Sequence, residues 1–240
     1  MKKQALLEIS VESLDAAAAA VRGGANRIEL CQELAAGGVT PTLEMMREAG
    51  RLGVPIFAMI RPRAGDFVYT AAEFEEMKRE MESARRAGMN GVVLGILTPE
   101  GRVDVERSAE LVKLARPMPV TFHRAFDELR DLEGALEELI TTGFARVLTS
   151  GGKASAEEGC AALAGLVRQA RERIAILPGG GVRAGNVSRI VRETQASEVH
   201  SGLSHLLPTM RDGTQRFEAA VRELAQLLEG PARNPAARPS

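Results

Sequence analysis

Eight short β-type runs alternate with segments of helical periodicity, and this alternation restricts the fold more than any other feature of the chain. The runs span residues 5–11, 27–31, 56–60, 91–97, 119–125, 146–150, 173–177 and 198–202. Between them, segments such as 71–88 and 131–143 carry apolar residues at helical spacing. Strict strand–helix alternation predicts a parallel sheet with helical crossovers.

Eight such units favour a single α/β domain, a TIM (β/α)8 barrel, over an open doubly wound sheet. We expect the barrel to occupy residues 1–230, because no change of composition divides the chain. The last residues, 231–240, are rich in Pro and Arg without periodicity. They predict a flexible C-terminal tail.

Charge and cysteine content exclude several classes of protein. The chain has 31 basic and 32 acidic residues, so no basic field suggests a nucleic-acid partner. No apolar run is long enough to cross a bilayer, and Glu8 and Glu12 interrupt the region that a signal peptide needs. Cys31 and Cys160 have no CxxC neighbour, which argues against a disulfide or a zinc cluster. We predict a cytoplasmic protein without a membrane partner, and a homo-oligomer because barrels of this size often pair.

Alternation along each strand predicts which side chains face the barrel interior. Apolar residues of one parity, such as Ile9 and Phe122, suit the outer face beneath the helices. The opposite parity gives Glu8, Ser10, Glu29, Cys31, Met59, Arg61, Thr121, His123, Glu198 and His200. Buried carboxylates are costly unless they are paired, so Arg61, His123 and His200 are the expected partners.

Residues at the carboxyl ends of barrel strands form the mouth at which barrel active sites lie. A buried ion-pair network that only fixes the barrel register would explain one or two charged pairs. Here five strands carry inward polar residues, which favours a functional site. The catalytic candidates, for acid–base chemistry and anion binding, are Glu8, Glu29, Arg61 and His123. No nucleophile with an adjacent base is evident, so isomerase, lyase and hydrolase chemistry stay open.

The stretch MIRPRAGDFVY ends an apolar run in charged residues. Arg61 is predicted to enter the mouth and to meet Glu8, Glu29 or an anionic ligand, because a guanidinium makes bidentate contacts to carboxylate or phosphate. Arg63 and Asp66 belong to the following loop, where Asp66 would orient Arg61 or Arg63. For Arg63 alone, a solvated loop position is the more ordinary interpretation.

Three glycine-bearing loops follow the last three strands: TSGG at 149–152, PGGGV at 178–182 and HSG at 200–202. Such loops can direct backbone N–H groups at a phosphate, and barrels often bind phosphate after strands seven and eight. Ordinary tight turns are an equal alternative. The candidate substrate-binding residues are Arg63, Asp66, Ser150, Gly151, Gly180, Gly181, His200 and Ser201.

Imidazole and sulfur side chains offer a metal site as another possibility. No HExxH or HxH spacing exists, but His123 and His200 could meet across the mouth and hold a divalent ion with an inward carboxylate. Cu(I) prefers soft ligands, and Cys31, Met59 and His123 have the parity to provide them. A small buried core residue is the commoner role for Cys31.

Several motifs together resemble the CutC family, which is named for copper homeostasis. They are GGANRIELCQELAAGGVTP, MIRPRAGDFVY, VTFHRAFD, RVLTSGG, ILPGGGV and EVHSG, and the resemblance runs from Leu7 to about Gly202. It implies a TIM barrel and a cytoplasmic copper-handling protein with Cu(I) bound at cysteines. The rim positions that the motifs carry over are Glu8, Glu29, Cys31, Arg61, Asp66, His123, Arg124, Asp127, Ser150 and His200.

Two functions are therefore expected from this sequence. The resemblance implies a role in copper homeostasis, with a copper ion bound directly at the barrel mouth. The residues alone favour an enzyme that acts on a small anionic or phosphorylated metabolite by acid/base chemistry, with no direct copper role. They do so because the mouth carries hard, charged groups rather than sulfur.

Overall fold

The computed structural model describes residues 5–203, 206 and 213–229. Its eight strands, β1 to β8, are Leu6–Val11, Arg27–Leu30, Ile56–Met59, Gly91–Leu94, Val120–Phe122, Arg146–Thr149, Ala175–Pro178 and Glu198–Ser201. The predicted tail, 231–240, lies outside the described residues, and the domain extent of 1–230 stays a prediction.

The strands form one parallel sheet that curves into a barrel. Hydrogen-bonded neighbours follow the order β7-β6-β5-β4-β3-β2-β1-β8, and β7 lies beside β8 where the sheet meets itself. Each strand is followed by a helix that packs outside. The TIM-barrel prediction is confirmed.

Eight α-helices surround the barrel in the described part of the chain. Helices α1 to α8 are Leu14–Arg22, Leu43–Ala49, Ala71–Arg86, Val105–Ala115, Leu132–Thr142, Cys160–Ala170, Ala184–Thr194 and Gly213–Glu229. Local sequence sets several of their starts: Thr70 and Glu73 form a capping box at α3, and the Asp131 carboxylate accepts from the Gly134 N–H at α5. Within the described residues, no helix combines the length and apolar character that a bilayer crossing requires.

Two separate apolar clusters confirm the predicted strand parity. The larger cluster lies between sheet and helices and joins strand residues such as Ile9 and Leu30 to helix residues such as Phe74. The smaller cluster lies inside the barrel and consists of Cys31, Phe57, Met59 and Val93. The interior is therefore partly apolar, and its remaining volume holds the charged residues.

Candidate functional site at the barrel mouth

A cavity of about 620 Å³ opens at the carboxyl ends of the strands. Its lining comes from most of the strands and the loops that follow them, and includes Ser10, Glu29, Met59, Arg61, His123, Arg124, Leu148, Gly180, Gly181 and His200. A cavity of this size suits a small molecule. The structure thus brings Glu29, Arg61, His123 and His200 to the lining of one cavity.

Glu8 lies fully buried beneath this cavity between two cationic partners. Its Oε1 lies 2.7 Å from His200 Nδ1, and its Oε2 forms an ion pair with Arg27. Burial alone would raise the pKa of Glu8, but the hydrogen bond from His200 and the charge of Arg27 outweigh it and lower the pKa to about 2. Glu8 therefore stays ionised and orients the imidazole.

A second layer of charge lies below, at the amino ends of the strands. Glu198 Oε2 accepts from Arg27 Nη2 at 2.6 Å and from Arg146 Nε at 3.0 Å. The centroid of the Phe57 ring lies 5.1 Å from the Arg27 guanidinium carbon and 5.0 Å from that of Arg146. The sequence analysis missed Arg27 and Arg146, although each has the inward parity of its strand.

Glu29 is the exceptional carboxyl of the site. It is 3% exposed, and its Oε2 has no hydrogen-bond partner among the described residues. Burial raises its pKa to about 7; the His200 and Arg27 charges oppose this rise, whereas the Glu8 charge adds to it. A carboxyl that titrates near neutrality can accept or release a proton under ordinary conditions.

His200 lies beside both carboxyls, within a triangle of possible ligand atoms no more than 4.8 Å apart that it forms with Glu8 and Glu29. Burial would lower its pKa, but the charge of Glu29 and the bond to Glu8 raise it overall. The charged side chains inside the barrel are those of Glu8, Glu29, Glu198, Arg27, Arg146 and His200. When all three carboxyls are ionised, the two guanidinium groups and a protonated His200 balance their charge. Glu29 and His200 therefore lie close enough for the charge of each to shift the pKa of the other.

Arg61 does not pair with Glu8 or Glu29, and that part of the prediction is wrong. Its guanidinium lies over the Phe67 ring at 4.9 Å. It donates to three backbone carbonyls at 2.7–3.1 Å, those of Ala36, Gly38 and Gly65. Arg61 thus joins the loops after β2 and β3 and holds one wall of the cavity in place.

Arg63 and Asp66 lie in the loop beside the cavity. Arg63 Nη2 donates to Asp66 Oδ1 at 2.9 Å and Arg63 Nε to Glu73 Oε1 at 2.5 Å. The Asp66 side chain is 68% exposed. Of the two predicted partners, Asp66 orients Arg63 rather than Arg61. This placement corresponds to the solvated loop position and lends no support to substrate contact.

His123 is a neutral hydrogen-bond donor. Burial and the charge of Arg61 lower its pKa to about 3. Its Nδ1 accepts from the Ala125 N–H at 3.2 Å, which places the ring proton on Nε2. Nε2 is buried and has no partner among the described residues. A metal would need a lone pair on that nitrogen, so His123 fits poorly as a copper ligand.

Cys31 lies fully buried beside Met59, which lines the cavity. A Cβ placed on Gly38 would contact Cys31 Sγ at 3.3 Å and Met59 Cε at 3.5 Å. The thiol of Cys31 donates to Val11 O at 3.6 Å, and burial, with the charge of Glu29, raises its pKa. These two sulfur atoms fit a Cu(I) ion in softness, but the thiol must first lose its proton.

Asp127 occupies the N–H groups of the TSGG loop. Its carboxylate accepts from Thr149 Oγ1 at 2.5 Å and from the Ser150 and Gly152 N–H groups at 3.0 Å. The Gly151 N–H donates to Thr149 Oγ1 at 2.8 Å. The predicted anion contact through Ser150 and Gly151 is therefore not available from their backbone N–H groups.

The loop after β7 has a different arrangement. Gly180 and Gly181 line the cavity and adopt φ values of +95° and +71°, which favour glycine. Ser201, another predicted substrate-binding residue, is buried, and its hydroxyl donates to Val182 O at 2.7 Å. Ser201 thus fixes this loop against β8.

A parallel eight-stranded barrel with buried ionisable residues and a cavity at its carboxyl end defines a TIM-barrel protein. Residues 5–205 match the CutC family. The chain belongs to that family.

Relatives from distant organisms share most of the chain. A family protein CutC from Xanthomonas campestris pv. campestris is 50% identical over 238 residues, covering 93% of this chain and 98% of that protein. The copper homeostasis protein cutC homolog of Homo sapiens is 46% identical over 196 residues, covering 81% and 72%. A CutC crystal structure from Streptococcus agalactiae superposes with a TM-score of 0.79 at 33% identity, covering 82% of this chain and 98% of that one.

Proposed function

We propose that the protein takes part in copper homeostasis and that its cavity performs acid–base chemistry on a small anionic ligand. The names of the human and mouse relatives support the physiological role. The chemistry is supported above all by Glu29, a buried carboxyl with a pKa of about 7 and one unpartnered oxygen beside His200. Such a group is suited to move a proton to or from a bound molecule.

Each neighbour of Glu29 has a supporting role in this proposal. His200, oriented by ionised Glu8, holds the proton that Glu29 gives up or takes back. His123 offers a neutral N–H from the cavity wall to a ligand oxygen. Arg61 keeps the wall in place through its three carbonyl contacts.

The raised pKa of Glu29 can be tested by carboxyl titration. Carbon-13 NMR of side-chain carboxyls should reveal a group that titrates near neutrality and is lost in Glu29→Gln. Because glutamine keeps the shape of glutamate, the variant should leave the remaining carboxyl signals in place. A Glu29 signal that titrates in the ordinary carboxyl range would refute the chemistry.

The physiological role has its own test in cells. A strain lacking the gene should grow poorly under copper stress and recover with the wild-type protein. If the acid–base chemistry serves that role, Cys31→Ser should complement the strain and Glu29→Gln should not. Normal growth of the deletion strain in copper would refute the role.

Direct binding of Cu(I) is the second candidate function, favoured by the adjacency of Cys31 and Met59. Two sulfur donors suit Cu(I), although the raised pKa of the thiol and the Nε2 proton of His123 weaken the predicted three-residue site. Competition with a Cu(I) chelator should show binding that is lost in Cys31→Ser and retained in Cys160→Ser. Cys160, whose thiol donates to Ala156 O, is the matched buried control.

A cytoplasmic location and a homo-oligomeric state are also part of the proposal. Both come from the sequence analysis and the CutC resemblance. Cell fractionation and light scattering of the purified protein test them.

A further inference from the structure

Three consecutive backbone N–H groups in the loop after β7, those of Gly180, Gly181 and Val182, belong to residues that line the cavity and have no acceptor among the described residues. The flanking amides are bonded: Gly179 N donates to Thr149 O at 3.0 Å, and Arg183 N donates to Asn186 Oδ1 at 2.9 Å. The three amides between them make no such bond within the described part. Successive free N–H groups are a recurrent element of anion sites.

Arg124 holds a positive charge against this loop. Its Nε donates to Asp127 Oδ2 at 2.8 Å and its Nη2 to Ser150 Oγ at 3.0 Å, so two of its three nitrogens are fixed. Its Nη1 lies 3.3 Å from the Cβ position of Gly180 and has no partner in the described part of the chain. The guanidinium is therefore oriented in advance, with one free donor group beside the loop.

The neighbouring loop cannot serve the same purpose. The carboxylate of Asp127 already occupies the N–H groups of Ser150 and Gly152, and its negative charge would repel an anion there. Among the glycine loops of residues 149–152 and 178–182, the second is thus the one that offers free amides to the cavity.

Elsewhere in the cavity, the Glu29 carboxyl can accept a hydrogen bond but would repel an anion. Glu29 lines the same cavity, 3% exposed, with Oε2 unpartnered. Gly180, Gly181 and Arg124 line the same cavity as Glu29. One molecule in this cavity could therefore contact both the loop and Glu29.

We infer that Gly180, Gly181 and Arg124 bind the phosphate of a phosphomonoester whose other end presents a hydroxyl or amino group to Glu29. This inference rests on the proposed function, because it takes the cavity to be the ligand site. It assigns the substrate class that the acid–base pair would act on. A dianionic phosphate offers several acceptor oxygens to the converging N–H groups, whereas a carboxylate offers only two.

Binding of inorganic phosphate to the full chain, followed by phosphorus-31 NMR, tests the charge contribution. Arg124→Gln should weaken phosphate binding by about 10-fold or more, the effect of losing one charge-assisted contact. Arg47→Gln removes the same charge from the exposed face of α2 and should bind as the wild type does. Acetate should bind more weakly than phosphate. Equal binding of phosphate by both variants, equal binding of acetate and phosphate, or no binding by the wild type would overturn the assignment.

A glycine pair tests the loop itself. Alanine at Gly180 would place its Cβ 3.3 Å from the Arg124 guanidinium, whereas alanine at Gly101, with φ of +72°, would meet nothing within 4 Å. Both variants carry left-handed backbone strain, so only Gly180→Ala should lose phosphate binding. Equal phosphate binding by the two would overturn the inference.

The outcome separates this inference from the proposed function. Glu29→Gln should still bind inorganic phosphate, because that probe does not need the acid–base pair. Phosphate binding that is insensitive to Arg124→Gln refutes the subsite even if Glu29 titrates near neutrality. An ordinary Glu29 titration refutes the chemistry even if the phosphate results are as expected.

Discussion

Replacing Arg27 by methionine would test how much the interior charge network contributes to stability. Arg27 pairs with Glu8 and Glu198, and its side chain is 3% exposed. The pKa of Glu8 falls from its ordinary 4.5 to about 2, a net stabilisation of the carboxylate by about 3 kcal/mol that remains after burial has opposed the effects of His200 and Arg27. Breaking a buried pair typically costs about 3–5 kcal/mol. We therefore expect Arg27→Met to lower the free energy of unfolding by about 3 kcal/mol.

Urea unfolding followed by circular dichroism at pH 7 measures this loss. Arg22→Met is the matched control, because Arg22 binds Glu218 at 2.8 Å with its own side chain 56% exposed. Solvent screens such a pair, so the control should lose far less stability.

The pH dependence gives the reasoning a second test. A carboxyl with a lowered pKa stabilises the folded state above its unfolded value and loses that contribution as the pH falls toward the folded value. The difference between wild type and Arg27→Met should thus be complete at pH 7 and shrink below 4.5, the ordinary pKa of glutamate. A loss equal to that of Arg22→Met, or one independent of pH, would refute the view that Glu8 needs this counterion.

Three further results are expected. Because the pKa of Glu29 is raised to about 7 in the folded state, its contribution to stability is present below pH 4.5 and is lost as the pH rises through 7. Glu29→Gln should therefore be more stable than the wild type at pH 8 but not at pH 4. Equal stability at pH 8 would contradict this. Cys31, fully buried with a raised thiol pKa, should react with an aromatic disulfide reagent only after unfolding; fast reaction of the native protein would contradict its burial. Gly91→Ala should destabilise the barrel because the new Cβ would overlap the Phe57 ring. Gly185→Ala is the control, because its Cβ would meet nothing within 4 Å. Equal melting temperatures of the two variants would contradict the close packing of Phe57 on Gly91.

The barrel and the inward residues could be predicted because both follow from local periodicity. A period of two placed Glu8, Glu29 and His200 on the interior face, and the strand–helix alternation placed them around one axis. The pairing of Glu8 depended on strand register, which sets it opposite Arg27. Register is fixed by contacts between distant segments, so Arg27 was missed although it stood in the same strand as Glu29.

Arg61 was assigned the wrong partners for a related reason. Strand β3 ends at Met59, so alternation no longer governs the direction of a side chain two residues later. The TSGG loop is similar, because Asp127 reaches its amides from 23 residues away. Sequence identifies such residues as candidates, but which groups they satisfy depends on loops that only the folded chain brings together.

The Phe57 ring lies 5.1 and 5.0 Å from the Arg27 and Arg146 guanidinium carbons inside the barrel, and the cavity lined by Glu29 and His200 opens at the carboxyl ends of the strands. A molecule seated over Glu29 would separate that carboxyl from bulk water. A proton taken from the ligand would then have to return to it, or stay on the imidazole, until the product departs. Ligand and product would both pass through this opening, so the product would have to leave before the next ligand could bind.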